Sequence, residues 1–480
     1  MDRATKRAAL TAVAASMLAV GAWEWVRYGR HRVDADYQLD LVTASRPGLR
    51  VNATLRSDVR AFYDRRNLTP VWITESDVEP RAAAALDVLD RAIEHGLDPA
   101  DYDAPELRRE YDGLPHGNSE NDRLDQLTQF EVRLTSALLS LGHDVSVGRT
   151  SPAALDPRWQ SQRTPPDLPR TLAAAIDTDI GQWLGAIQPR HPEYAALKAA
   201  LADPDRLVAT GIDAAADIVA ANMERWRWLP DDLGAHHLYV NIPSYTLVAR
   251  EDGRTALTMR VVVGKPVTNQ TPILSSMIST LVFRPTWNIP ASIVAKETVP
   301  SVLRDPTYLT RQNIEALRII NGRVSTVDPA TLTASDASAL RQLQYRQRSG
   351  DGNALGLVKF LFPNEYDVYL HDTPSDGAFL RAMRAVSHGC VRLEQPAVLA
   401  EYVLGGASGW NGTKVRRAMA AGREQFVKLP DALPVHLVYF TAMVDSADGL
   451  RILPDVYGLD TKMTRGLADR YIGRTINFSL

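Results

Sequence analysis

Cysteine occurs once in 480 residues. A chain with one thiol forms no internal disulfide. One cysteine with scattered histidines also lacks the compact ligand spacing of a structural zinc site, and no metal or organic cofactor is expected. Neither sign of charge dominates. The formal net charge of −3 and the lack of any long basic run argue against a nucleic-acid partner. There is no internal repeat and no low-complexity tract. Long apolar runs are missing too, with one exception near the N-terminus. What remains is an ordinary globular composition, 45% hydrophobic and 23% charged. It excludes whole-chain disorder, and the length suits two or three domains.

The exception is the run from Ala8 to Trp23, which follows Arg3, Lys6 and Arg7. A basic start before an uncharged run marks either a signal peptide or a short membrane anchor. Ala19-Val20-Gly21 would serve as a cleavage site. Trp23, Trp25 and Tyr28, followed by Arg30 and Arg32, form an interfacial belt, so residues 1–32 are expected to be an uncleaved anchor. Either reading exports the rest of the chain. In an oxidising compartment cysteines come in pairs, so a lone one is an inert buried thiol, an intermolecular crosslink or a nucleophile.

From about Val33 to Ala215 the pattern is helical. "RAAAALDVLDRAIEHGLDP" puts Leu86, Leu89 and Ile93 on one face and stops at Gly96. "DRLDQLTQFEVRLTSALLSLGHD" puts Leu124, Leu127, Phe130, Leu134, Leu138 and Leu141 at helical spacing and stops at Gly142. After "AADIVAANMERWRWLP" the texture becomes short, turn-bounded and β-rich. A polar helical insert is expected from about Val299 to Leu355. The expected fold is α+β: a helical N-terminal domain (33–215) and a mostly antiparallel β-rich domain (216–465) with its insert, then a tail (466–480).

The single thiol sits in "AVSHGCVRL", Ala385 to Leu393. Upstream, "EYDVYLH" reads as a strand, with Tyr366, Val368 and Leu370 on one face and Asp367, Tyr369 and His371 on the other. "FLRAMRAV" reads as a short helical piece, and "EQPAVLAEYVLGG" as a helix with Pro396 in its first turn and Gly405 as its stop. Cys390 is thus expected on a loop leading into a helix, where backbone N–H groups would favour a thiolate and an oxyanion. A neighbouring imidazole is the usual activator of a thiol, and both His371 and His388 are available.

His371 and Cys390 lie 19 positions apart, and "HDTPS" followed by "HGCVRLE" resembles the signature of bacterial L,D-transpeptidases with YkuD-like catalytic domains. "NMERWRWLP", "RPTWNIPASIVAKETVPSVLRDPTYL", "GDGNALGLVKFLFPN" and "VHLVYFTAMVDSADGLRILPDVYGLD" are similar to the large, YcbB-type branch, whose catalytic domain carries a capping insert. "FYDRRNLTPVWI" and "AIEHGLDPADYD" resemble its helical scaffold domain. "LKAALADPDRLVATGIDAAADIV" stands where larger relatives carry a peptidoglycan-binding module and is too short for one.

The resemblance implies that Cys390 is the nucleophile, His371 the general base and the backbone carbonyl of Asp372 the group that orients it. His388 and Gly389 would shape the oxyanion region together with the Tyr369 hydroxyl. Arg392 and Trp287 would contact substrate. The implied activity is a peptidoglycan L,D-transpeptidase that forms 3→3 crosslinks through a thioester and releases D-alanine. Its partners would be stem peptides, the inner membrane and proteins of cell-wall synthesis, in the periplasm. The rivals are an L,D-carboxypeptidase, a protein-to-peptidoglycan transferase with the same nucleophile, and a silent wall-binding scaffold.

Overall fold

The computed structural model describes residues 52–468 except 75, 114–119, 160–162, 329–330, 332–336, 406–408 and 446–448, so the expected anchor and tail tip lie outside the described residues. Among the described residues no helix is long and apolar enough to cross a membrane. The chain forms two units. The first takes the residues up to Asp231 together with Thr441–Ile452 and those from Gly458. The second takes Asp232–Phe440 and Leu453–Tyr457.

The first unit is helical: α1 (Ala53–Arg65), α2 (Arg81–Asp90), α3 (Ala104–Gly113), α4 (Glu120–Val147), α5 (Leu168–Ile176), α6 (Pro192–Leu201) and α7 (Ala215–Trp226), joined by shorter turns. Asn52 starts α1 by accepting the Leu55 N–H at 2.7 Å, an ordinary side-chain cap. Leu86, Leu89, Leu127, Phe130, Leu134, Leu138 and Leu141 are buried as their spacing implies. Ile93 is not; it is 64% exposed, because α2 tightens into a 3₁₀ turn at Arg91–His95 and the helical phase is lost. Gly96 does end that turn, at φ +69°. Gly142, expected as a stop, lies inside α4. A Cβ there would come within 2.4 Å of the Trp183 ring, so this glycine admits an indole rather than ending a helix.

The second unit is built on a nine-stranded sheet. Its strands are β1 (His236–Asn241), β2 (Thr246–Glu251), β3 (Arg254–Gly264), β4 (Leu274–Phe283), β9 (Val358–Leu361), β10 (Leu370–His371), β11 (Ala385–Ser387), β12 (Val391–Leu393) and β13 (Gln425–Val438). The order is β11-β3-β12-β10-β9-β4-β13-β1-β2, and β2 also pairs with β3, which closes the circuit. Pairing is antiparallel except for β1–β13, β10–β12 and β11–β3. The insert is not purely helical. It begins with β5 (Trp287–Asn288), runs helically from Ala291 to Arg304, and adds β6 (Ile314–Ile320), β7 (Arg323–Val327) and β8 (Gln344–Gln347) in a separate sheet ordered β5-β8-β6-β7. Its own core of Val294, Val299, Leu309, Ala316, Leu340 and Tyr345 explains why: a helix this short needs an apolar sheet to pack on.

Residues 216–231 and the C-terminal hairpin, β14 (Ala442–Asp445) with β15 (Gly449–Ile452), belong to the first unit and not to a contiguous 216–465 domain. Buried polar bonds account for this. Asn222 Nδ2 donates to Thr441 Oγ1 at 2.9 Å, and Arg225 Nη2 donates to the Asp460 carboxylate at 2.6 Å.

Candidate active site

Sheet order brings together what the sequence separates. β10 lies between β9 and β12, with Leu370 opposite Val391, His371 opposite Arg392 and, on the other side, His371 opposite Lys359. Residues in register share a face. Arg392, His371 and Lys359 therefore form one row, and Cys390, one residue before β12, comes level with Tyr369.

The strand expected over 365–371 shrinks to Leu370–His371. Asn364 is the cause. Its Oδ1 accepts the N–H groups of Tyr366 and Val368 at 3.0 and 3.1 Å, and its Nδ2 donates to the carbonyls of Phe362 and Val368. The side chain offers the backbone a loop in place of a ladder. Asp367 sits at φ +51° there, and its carbonyl turns to within 3.8 Å of Cys390 Sγ. "FLRAMRAV" is likewise no α-helix: Asp376–Leu380 makes a 3₁₀ turn, and β11 follows.

Cys390 does not open a helix. β12 intervenes, and the helix α8 (Pro396–Leu404) begins only after it, with Pro396 at its start and Gly405 at its end, so its dipole is not at the sulfur. The thiol receives hydrogen bonds from the backbone and the hydroxyl of Tyr369. That hydroxyl is in turn bonded by Trp287. Burial nevertheless pushes the Cys390 thiol up to about 11, against the Tyr369 bonds and the charge of Arg392.

His371 is buried, and its Nδ1 lies 2.5 Å from the carbonyl of Asp372. A carbonyl only accepts, so Nδ1 carries the proton and Nε2 is left as a base. Burial first, then the charges of Arg392 and Lys359, hold its pKa down at about 3. The imidazole and the thiol are both neutral near pH 7. No hydrogen bond joins them among the described residues. The Asp372 carboxylate faces away, accepting the N–H groups of Leu357 and Thr373, each at 2.7 Å.

His388 points elsewhere: its Nε2 lies 2.5 Å from the Glu297 carboxylate of the insert. Gly389 sits at φ +118°, where only glycine is unstrained. Its N–H is already donated to Ser387 Oγ at 3.1 Å, so it does not stand free for an oxyanion. Ser387 Oγ also donates to the Cys390 carbonyl at 2.6 Å. Beneath the loop, Thr271 Oγ1 donates to the Gly389 carbonyl at 2.7 Å and accepts the Gly264 N–H, while the Tyr457 hydroxyl accepts the Thr271 N–H and donates to the Gly264 carbonyl. Sequence reading missed Ser387, Thr271, Tyr457, Glu297 and Lys359. Ser387 adjoins the motif and could have been found, as could Lys359 from alternation in "KFLF". Thr271 and Tyr457 lie over a hundred and over sixty positions from Cys390 and carry no local signal. Among the described residues no group of His, Cys, Asp and Glu could hold a metal ion.

Residues 57–201 match the model of a scaffold domain, and residues 235–416 match that of the L,D-transpeptidase catalytic domain. A Haemophilus influenzae protein that carries the provisional name L,D-transpeptidase is 36% identical over 245 residues, covering 51% of this chain and 48% of that protein. The chain thus aligns with about half the length of that relative. Among solved structures, an L,D-transpeptidase from Mycobacterium smegmatis is 16% identical over 42% of this chain and 58% of its own, with a TM-score of 0.21. Mycobacterium tuberculosis L,D-transpeptidase 1 is 16% identical over 42% and 61%, with a TM-score of 0.18. Likeness at that level carries no argument about the fold.

Proposed function

Residues 235–416 are an L,D-transpeptidase catalytic domain behind a scaffold domain, and from that premise we propose that the chain forms 3→3 crosslinks between peptidoglycan stem peptides with Cys390 as nucleophile. The observation that carries this reading is the lock on His371: its Nδ1 proton is committed to the Asp372 carbonyl, so Nε2 faces the reaction as an acceptor on the strand beside the thiol. In the first half-reaction Nε2 takes the thiol proton as sulfur attacks the carbonyl of the third residue of a tetrapeptide. The tetrahedral intermediate collapses to a thioester, and the amine of the departing D-alanine takes that proton from the imidazolium. In the second half-reaction the amine of a neighbouring stem attacks the thioester, giving its proton through Nε2 to the leaving sulfur. Starting from neutral partners, the proton moves only as the new bond forms, which suits a base that is uncharged at pH 7.

The Tyr369 hydroxyl is bonded to the sulfur and to Trp287, which supports reading both residues as part of the reacting centre. The site of action is the cell wall, with the N-terminal run of residues 8–23 as the anchor on the periplasmic side. The test is incubation of purified protein with tetrapeptide muropeptide fragments, followed by mass spectrometry. Crosslinked dimers together with free D-alanine are expected. Shortened monomers alone would mean hydrolysis, mass added to an envelope protein would mean protein attachment, and no change would leave a silent scaffold.

A further inference from the structure

Two cations flank His371 in its cross-strand row, Lys359 on β9 and Arg392 on β12. Both are partly buried, and among the described residues neither forms a salt bridge or a hydrogen bond with a protein group. Arg392 Nε is buried without a partner. The Lys359 ammonium lies 5.8 Å from the centre of the Tyr369 ring. Desolvation lowers the pKa of both, so their charges are under-compensated where they sit. Arg284 Nε is likewise buried without a partner, but Arg284 and other arginines of the same unit have a carboxylate. Arg284 meets Asp351 at 2.7 Å, and Arg346 and Arg348 share Glu315 at 2.9 and 2.7 Å.

Half-buried charges are normally paired, because removing them from water costs more than packing returns. Among the described residues no acidic group forms a salt bridge with either cation. His371 is neutral and sits between the two cations, and Tyr369 and the Cys390 thiol are neutral as well. Glu424 is the acid that acts on Lys359, but it forms no salt bridge with it, and its Oε1 accepts the Thr286 N–H at 2.7 Å. Two unpaired positive charges beside a nucleophile call for an anion that arrives with the substrate. The two Cα atoms are two strand spacings apart, about 10 Å. That span, bridged by two long flexible side chains, lets both reach one carboxylate lying over His371.

The geometry points to Lys359 and Arg392 as a carboxylate-binding site that recognises the free C-terminal carboxylate of the residue to be expelled, restricting the donor to peptides that end one residue past the attacked carbonyl. This rests on the proposed reaction for the identity of the donor, but not for the existence of the anion site. An arginine and a lysine divide the task reasonably: the guanidinium gives a directional fork and the ammonium a mobile point charge.

Two probes separate the anion site from the reaction. The first compares alkylation of Cys390 by iodoacetate and by iodoacetamide, which differ in charge at nearly equal size. Because both need the same thiolate, the ratio of their rates cancels any change in thiol pKa. The full chain is expected to show a ratio about tenfold higher than Lys359→Met, the size of one weak hydrogen bond to a charged group, with Lys359→Arg close to the parent and Arg392→Met low. Equal ratios in all four proteins, or a ratio as low in Lys359→Arg as in Lys359→Met, would overturn the site. The second compares acylation by a tetrapeptide with a free C-terminus and by its C-terminal amide. The parent should prefer the acid at least tenfold, chiefly through KM, and Lys359→Met should lose that preference; an amide accepted as well as the acid by the parent overturns the donor assignment. If neither peptide acylates the parent while the alkylation ratio behaves as stated, the proposed reaction fails and the anion site stands.

Discussion

At the scale of single residues the site is a neutral pair awaiting a substrate. With the thiol near 11 and the imidazole near 3, the thiolate fraction at pH 7 is on the order of a hundredfold below that of an ordinary cysteine. Alkylation of Cys390 by iodoacetamide should therefore be slow at pH 7 and keep rising with pH past 9, as rates measured between pH 6 and 11 will show. His371→Ala should slow acylation by about 10²–10⁴-fold, the usual worth of a general base, and leave that alkylation profile nearly unmoved, because an uncharged ring lends the thiolate no charge. A profile displaced upward by a full unit in His371→Ala would mean that the ring is charged beside the thiolate. Cys390→Ala should take no adduct from a carbapenem in intact-protein mass spectrometry, whereas the parent should gain one.

At the scale of elements, the nucleophile loop is shaped by hydroxyls. Ser387 Oγ both accepts the Gly389 N–H and donates to the Cys390 carbonyl, a double duty that threonine can also perform and alanine cannot. Ser387→Thr should keep most single-turnover acylation. Ser387→Ala should lose about tenfold or more and lower stability by ~1–3 kcal/mol, since it leaves buried groups without partners. From the insert's side the Glu297 carboxylate meets the same loop, 2.5 Å from His388 Nε2. The motif thus contains two histidines near one cysteine, one on strand β10 and one on the loop between β11 and β12.

At the scale of the molecule, the first unit hides charge in two ways. One is pairing: the Asp460 carboxylate of the helix α9 (Leu459–Ala468) accepts from Arg225 Nη2 at 2.6 Å and Thr441 Oγ1 at 2.9 Å. Asp460→Ala strands a buried guanidinium and should lower the unfolding free energy of that unit by ~3–5 kcal/mol in urea titrations. His95 shows the opposite strategy. Its Nε2 faces the Lys198 ammonium at 3.2 Å, which only donates, so its Nδ1–H points to the Tyr194 hydroxyl and the ring stays neutral. Burial, then Lys198 and Arg227, press its pKa down to about 2. Because the unfolded chain binds this proton near pH 6.5 and the folded one does not, stability from His95 is present above pH 6.5 and drains away as pH falls toward 2. Melting temperatures should drop over that range, and less steeply in His95→Gln.

Periodicity and turn chemistry determined the elements that answer to nearest neighbours: the buried faces of α2 and α4, the stop at Gly96, and the proline start and glycine end of α8. These depend on residues a few positions apart, whose geometry is set by the backbone. Gly142 went the other way because Trp183, forty-one positions on, fills the space a Cβ would occupy. The same holds for the helical insert that proved half sheet, for the two-residue β10 cut short by Asn364, and for the hairpin that joins the first unit through Asn222 and Thr441. Most of all it holds for the electrostatics. Cys390, His371, Arg392 and Lys359 could each be pointed to in the chain, but their pKa values come from burial and from which strands lie side by side, and only the closed sheet puts two unpaired cations on either side of one neutral base.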